Sequence, residues 1–170
     1  MSVGVVYMRP MAVAYVRRIG PHAEAGPEAW DNLKAWLEKK GLRRRVSCGY
    51  GLARQNHRLV GNVTAQRCYD ACCELPDGAE HEPAAGVDHQ MLPGGAFLRM
   101  RLRSGLASIG PAFTALCHEH APRLCLAPDS SRPLVEVYFD NKPGSAEEFR
   151  VDLCLPVAPM VACAKNGLAS

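Results

Sequence analysis

The chain carries one plan twice, and that duplication is the strongest constraint on what it folds into. In the first half, "MRPMAVAYVRRIGPH" alternates at Met11, Val13 and Tyr15 and reads as a strand closed by Gly20-Pro21. "GPEAWDNLKAWLEKKG" follows with a helical stripe of Ala29, Trp30, Leu33, Trp36 and Leu37. Gly26 is placed to cap that helix, Pro27 suits its first turn, and Gly41 stops it. "VSCGYGLAR" and "QRCYDACCEL" then read as two strands. The second half repeats the order. "MLPGGAFLRMRLRSG" is a strand, and "IGPAFTALCHEHAP" is a helix opened by Gly110-Pro111 and stopped by Pro122. "PLVEVYFDN" and "EEFRVDLCLPV" are strands. The match reaches single residues, with Asp70 answering Asp152 and Cys72 answering Cys154.

The expected fold class is therefore α+β, a duplicated β-α-β-β repeat. Repeat one covers about 7–75, a Pro-, Gly- and acid-rich linker 76–87, and repeat two about 88–157. Residues 158–170 form a patternless tail. A half of about 75 residues builds only a small sheet with one helix, so two halves sharing one core are expected, a single domain over 1–157. Two such units side by side leave a cleft at their junction, a favoured place for a ligand.

Composition narrows the function classes. Of 170 residues, 48% are apolar and 22% charged, which supports a core and a solvated surface. Lys+Arg 20 against Asp+Glu 17 is too slight an excess to point to nucleic acid. Arg43-Arg44-Arg45 follows a helix end, where cations complement the dipole. No run of about 18 apolar residues spans a membrane, and no signal peptide is legible, so a cytoplasmic location without membrane contact is expected. The few residues before the first strand leave no room there for a helix-turn-helix unit. The eight cysteines contain no C-x-x-C pair and read as reduced thiols in apolar runs. His118 and His120, two apart, point to different sides of a helix, so no metal and no cofactor are expected.

One strand breaks its own pattern. In "RPLVEVYFDN", Val135, Val137 and Phe139 share a face, and Glu136 sits on the other between Leu134 and Tyr138. A carboxylate so placed lies either at a wet edge or in a pocket. Tyr69 and Asp70 read as strand residues with a structural role.

The segments "AYVRRIGPH", "GPEAWDNLKAWL", "YGLARQNH", "YDACCEL", "MLPGGAF", "VEVYFDN" and "FRVDLCLPV" resemble, in order and over about residues 7–157, the DNA gyrase inhibitor-like (GyrI-like) small-molecule-binding family. That family also supplies effector domains of AraC- and MerR-type regulators. The resemblance implies pseudo-two-fold symmetry, antiparallel sheets with two helices, and a cleft between the repeats. It places a ligand-binding carboxylate on Glu136 and pocket aromatics on Trp30, Tyr50, Tyr138 and Phe149. It also departs from the family's pattern at two points. His22 stands where an aromatic follows the first "GP", and Gly105-Leu106 replaces the second "GP".

Three functions follow from the resemblance. The first is a stand-alone protein binding a hydrophobic small molecule, cationic ones included, with Glu136 as counter-charge and aromatic faces adding cation–π attraction of about 0.5–2 kcal/mol. The second is a hydrolase of cyclopropane-containing electrophilic toxins, with Glu136 as catalytic general base. The third is an inhibitor contacting a protein partner, gyrase or a regulator. None requires direct nucleic-acid contact.

Overall fold

The computed structural model describes residues 2–55, 67–75, 86–139 and 149–161. Residues 76–85 of the expected linker and the tail from 162 onward lie outside them. The elements run β1 (Val3–Met8), β2 (Met11–Ile19), α1 (His22–Lys39), β3 (Gly49–Gln55), β4 (Arg67–Glu74), β5 (Asp88–Leu92) and β6 (Gly95–Ser104). Then come α2 (Ile109–Ala115), a π-helical turn (Leu116–His120), α3 (Ala121–Arg123), β7 (Leu126–Pro128), β8 (Leu134–Tyr138) and β9 (Phe149–Pro159). The fold is α+β, and its strand pairings are antiparallel.

The strands form one sheet in the order β1-β6-β9-β8-β3-β4-β2-β5, with β7 paired to β9. Exchanging β1–β4 with β5, β6, β8 and β9 returns the same order read backwards, as the duplicated plan requires. The halves meet where β3 pairs with β8. α1 packs on β2 and β4, and α2 packs on β9, so the β3–β8 junction runs between the two helices.

Each expected opening strand is in fact two. Pro10 breaks the first and Pro93-Gly94 the second, and β1 occupies the stretch read as a bare lead-in. The register nevertheless continues across the break, with Met8 opposite Gly95 and Met11 opposite Leu92. Thus β1–β2 and β5–β6 form one antiparallel ribbon bent at a corner. Prolines suit that bend because a corner residue needs no ladder N–H. A Cβ on Gly94 would lie 2.5 Å from Pro10 Cδ and 2.8 Å from the Met8 carbonyl oxygen, so the bend requires glycine there. β1 and β5 are outermost in the strand order, yet each rejoins the far side of the sheet within about 11 Å of chain. The sheet therefore curls back on itself at this corner.

Two-residue periodicity gives the curled sheet two apolar faces. One face, with Ala14, Val16, Ala71, Leu98 and Leu153, packs against Trp30, Leu33 and Leu37 of α1 and Ile109 and Phe113 of α2. The other encloses Val13, Leu52, Cys72, Leu92, Phe97, Val135 and Cys154 inside the curl. On that inner face the repeat is visible in detail. Asp70 accepts two bonds from Arg17 across β2–β4, at 2.7 and 2.8 Å, and Asp152 accepts two from Arg101 across β6–β9, at 2.7 and 2.9 Å. Both carboxylates are buried, and each pairing is bidentate, the geometry that best offsets desolvation.

Three expected boundaries move, one of them the stop at Pro122, which lies inside α3. The first helix begins at His22 rather than Gly26, and Pro27 lies inside it. Its first turn closes on Pro21, whose carbonyl accepts the N–H groups of Glu24 and Ala25 at 3.0 and 2.8 Å. Gly20, at φ +144°, supplies the reversal out of β2. The expected tail also starts too early, because Ala158 and Pro159 complete β9 opposite β7. Among the described residues no helix is long and apolar enough to cross a membrane.

Candidate functional site

Glu136 lies at the centre of the β3–β8 junction, opposite Gly51, on the face covered by the helices. It is fully buried. An isolated carboxylate there would cost several kcal/mol, so its hydrogen bonds decide whether the strand folds as written. Three donors meet it. Oε2 accepts from Tyr69 Oη at 2.8 Å and from Tyr138 Oη at 2.7 Å. Oε1 lies 2.8 Å from His22 Nε2. Tyr69 Oη in turn accepts from Trp30 Nε1 at 2.9 Å. The chain Trp30–Tyr69–Glu136 thus aligns three polar atoms inside an apolar layer.

Each donor comes from a different element. Tyr138 is two residues from Glu136 on β8 and shares its face by strand periodicity. Tyr69 comes from β4, two strands away, and reaches across Gly51 of β3. A Cβ at Gly51 would overlap the Tyr69 hydroxyl and lie 2.7 Å from Glu136 Oε2. His22 descends from the first turn of α1, which is why the earlier helix start matters. Trp30 sits two turns further along the same helix and is fully buried.

The aromatics form a wall on one side of the carboxylate. Trp30 meets Tyr138 edge-on at 5.6 Å, and Tyr138 meets Phe149 at 5.4 Å. His22 packs edge-on against Tyr69 at 5.0 Å. Of the three groups on Glu136, Tyr69 and Tyr138 are buried, whereas the His22 side chain is 30% exposed.

Burial, then the adjacent Glu136 charge, hold both Tyr69 and Tyr138 well above the ordinary tyrosine range. Both hydroxyls therefore keep their protons and donate. For His22, burial pulls the pKa down, but the hydrogen bond and charge of Glu136 together outweigh it, and the net shift is upward from 6.5. The His22–Glu136 pair contributes fully below the unfolded value of 6.5, and the contribution is lost as pH rises through the raised folded value. Denaturant midpoints measured from mildly acidic to mildly alkaline pH should fall across that interval, and Glu136→Gln should flatten the fall.

The structure brings Glu136, Trp30, Tyr138 and Phe149 together and leaves Tyr50 out. Tyr50 is adjacent to Gly51, so its side chain points to the opposite face, where it pairs in register with Val137 and packs in the inner cluster. Burial pushes its hydroxyl up to about 12. The resemblance places Tyr50 in the pocket, but the phase of β3 turns it to the other face. Sequence reasoning missed two members. These are Tyr69, whose strand pattern alone suggests a structural role, and His22, which stands as a departure from the family pattern. The sequence signals for them are the place of His22 directly after Gly20-Pro21 and the even spacing of Tyr69 with Ala71 and Cys73. Among the described residues no group of three or more His, Cys, Asp or Glu side chains is placed to hold a metal ion.

The family model of the GyrI-like small molecule binding domain matches residues 1–158. No curated protein matches the chain. Among solved structures, a hydrolase from Listeria innocua is 14% identical with a TM-score of 0.64, covering 92% of this chain and 91% of its own. The EcmrR C-terminal domain is 12% identical with a TM-score of 0.66, covering 93% and 98%. SAV2435 bound to tetraphenylphosphonium is 10% identical with a TM-score of 0.58, covering 93% and 94%. At such identities these likenesses establish a shared fold.

Proposed function

The chain belongs to the GyrI-like small molecule binding domain family, and on that premise we propose that it captures a hydrophobic organic cation at Glu136. One observation carries the reading. A fully buried carboxylate, walled by Trp30, Tyr138 and Phe149, has as its cationic partner among the described residues a half-buried histidine. Such a site offers a cation a fixed counter-charge in low dielectric and aromatic groups beside it. The tyrosine donors hold the carboxylate in place without neutralising its charge. A fold neighbour bound to tetraphenylphosphonium supports the ligand class.

Calorimetric titration with tetraphenylphosphonium tests this. Binding to the unaltered chain is expected, and Glu136→Gln should weaken it by about 2 kcal/mol or more, roughly thirtyfold. Gln keeps the shape and one acceptor but removes the charge. Equal affinity in both proteins would sink the reading.

A second reading, hydrolysis of a strained electrophile at the same site, is favoured by the juxtaposition of a carboxylate with two protonated tyrosines and an imidazole. It needs Glu136 to reach water, and therefore needs one of its three bonds to open. Turnover of cyclopropane-bearing electrophiles that vanishes in Glu136→Gln, with binding retained, would favour it over the receptor.

A further inference from the structure

We propose that His22 is an internal counter-group of this site: its ring occupies the Oε1 side of Glu136, so an organic cation binds by displacing it. This rests on the cation-binding reading and adds how pH regulates capture.

The two carboxylate oxygens are not equivalent. Oε2 takes both tyrosine hydroxyls, which come from fully packed sheet residues, and Tyr69 is fixed further by Trp30. Oε1 takes His22, the most exposed of the three partners. A ligand therefore approaches Oε1 past the imidazole, and Oε2 stays satisfied throughout. His22 is the first residue of α1. Its ring has two side-chain torsions to swing on, so displacing it asks nothing of the helix backbone. Simple removal would leave Oε1 bare in an apolar layer, which is costly. Exchange for another cation is not.

With Oε2 taken by both tyrosine hydroxyls, a bulky organic cation reaches the charge at Oε1, and there it takes the place of the imidazole. An arriving ligand sends the imidazole to solvent, where its affinity for a proton returns to that of an ordinary histidine. Capture is thus coupled to proton release. The titratable groups facing the imidazole are Glu136 from β8, which bonds it, and Tyr69 from β4, which packs edge-on against it, while Tyr138 from β8 shares the same carboxylate. Both tyrosines keep their protons through the neutral range. The direction of linkage is fixed by His22, which holds its proton more tightly in the free protein than in the complex. Affinity for the cation then rises with pH, by at most about tenfold per pH unit, and levels off on either side.

The experiment titrates the full chain with tetraphenylphosphonium from about pH 5.5 to about pH 9. That probe has no proton of its own to titrate. Running each titration in two buffers of different ionisation enthalpy counts the protons released. The unaltered chain should bind more tightly as pH rises above 6.5 and release up to one proton per ligand. His22→Phe should bind at mildly acidic pH as tightly as the unaltered chain does at alkaline pH, with no slope and no proton released. His22→Gln, a smaller neutral replacement, should behave likewise if the Phe variant misfolds. In the unaltered chain, the His22 ring followed by NMR should titrate higher without ligand than with it. Glu136-dependent binding that is flat with pH, or a slope that survives in both variants, overturns the role of His22 and leaves the receptor reading standing. Absence of binding in all three proteins at every pH overturns both.

Discussion

Trp30→Ala lowers the unfolding free energy by about 3–5 kcal/mol, the range for deleting a large buried aromatic side chain. Trp30 is fully buried beneath α1, so the deletion leaves a cavity between helix and sheet rather than a surface notch. It also removes the N–H that Tyr69 Oη accepts and the edge contact with Tyr138. For a chain of this size the thermal midpoint should fall on the order of 10 °C. Trp30→Phe separates the two causes. It keeps most of the volume and loses the donor, and should cost about 1–2 kcal/mol. Thermal or denaturant unfolding of the two variants checks this. A Trp30→Ala loss below that of Trp30→Phe would mean that the indole is not the packing element described.

Gly51→Ala gives the second large effect, and by the opposite mechanism. The added methyl would overlap the Tyr69 hydroxyl and crowd Glu136 Oε2. Neither neighbour can give way cheaply. Tyr69 is a rigid buried ring held by Trp30, and Glu136 is held by three donors. Overpacking of this kind costs about 1–3 kcal/mol, and the severity of the overlap argues for the upper end. The hydrogen bond between Tyr69 and Glu136 should break, so cation binding should fall together with stability. The Tyr69→Phe/Gly51→Ala double variant should recover part of the stability, because the overlapping oxygen is gone. If alanine at position 51 left both stability and binding unchanged, the packing of Tyr69 against β3 would be refuted.

The duplication was legible because each half states it locally. Helix stripes at Trp30, Leu33 and Leu37 and alternation in the strands lie within a few residues of chain, and the short Asp-x-Cys pattern at Asp70–Cys72 recurs at Asp152–Cys154. Pro10 and Pro93 were read through as parts of continuous strands, because a bent ribbon keeps its alternation across the corner. The helix start was misplaced because Pro27 carries the usual mark of a first turn, and nothing local distinguishes it from Pro21.

The candidate site divides along the same line. That Glu136 and Tyr138 share a face follows from strand periodicity alone, and Trp30 and Phe149 came from the resemblance. Tyr50 and Gly51 differ by one residue, and that single step decides which face a side chain serves. The phase of β3 against β8 is set by the pairing of Gly51 with Glu136, a contact between residues 85 positions apart in the chain. The same holds for Tyr69 and His22, which reach Glu136 from 67 and 114 positions away. Short-range patterns carried in the sequence therefore determined the repeat, the helices and the oddity of one strand carboxylate. Which groups surround that carboxylate, and that an internal histidine holds its open side, was decided by the tertiary structure. A buried charge takes its donors from whatever strands and helix termini the packing brings within hydrogen-bond reach, however far apart they lie in the chain.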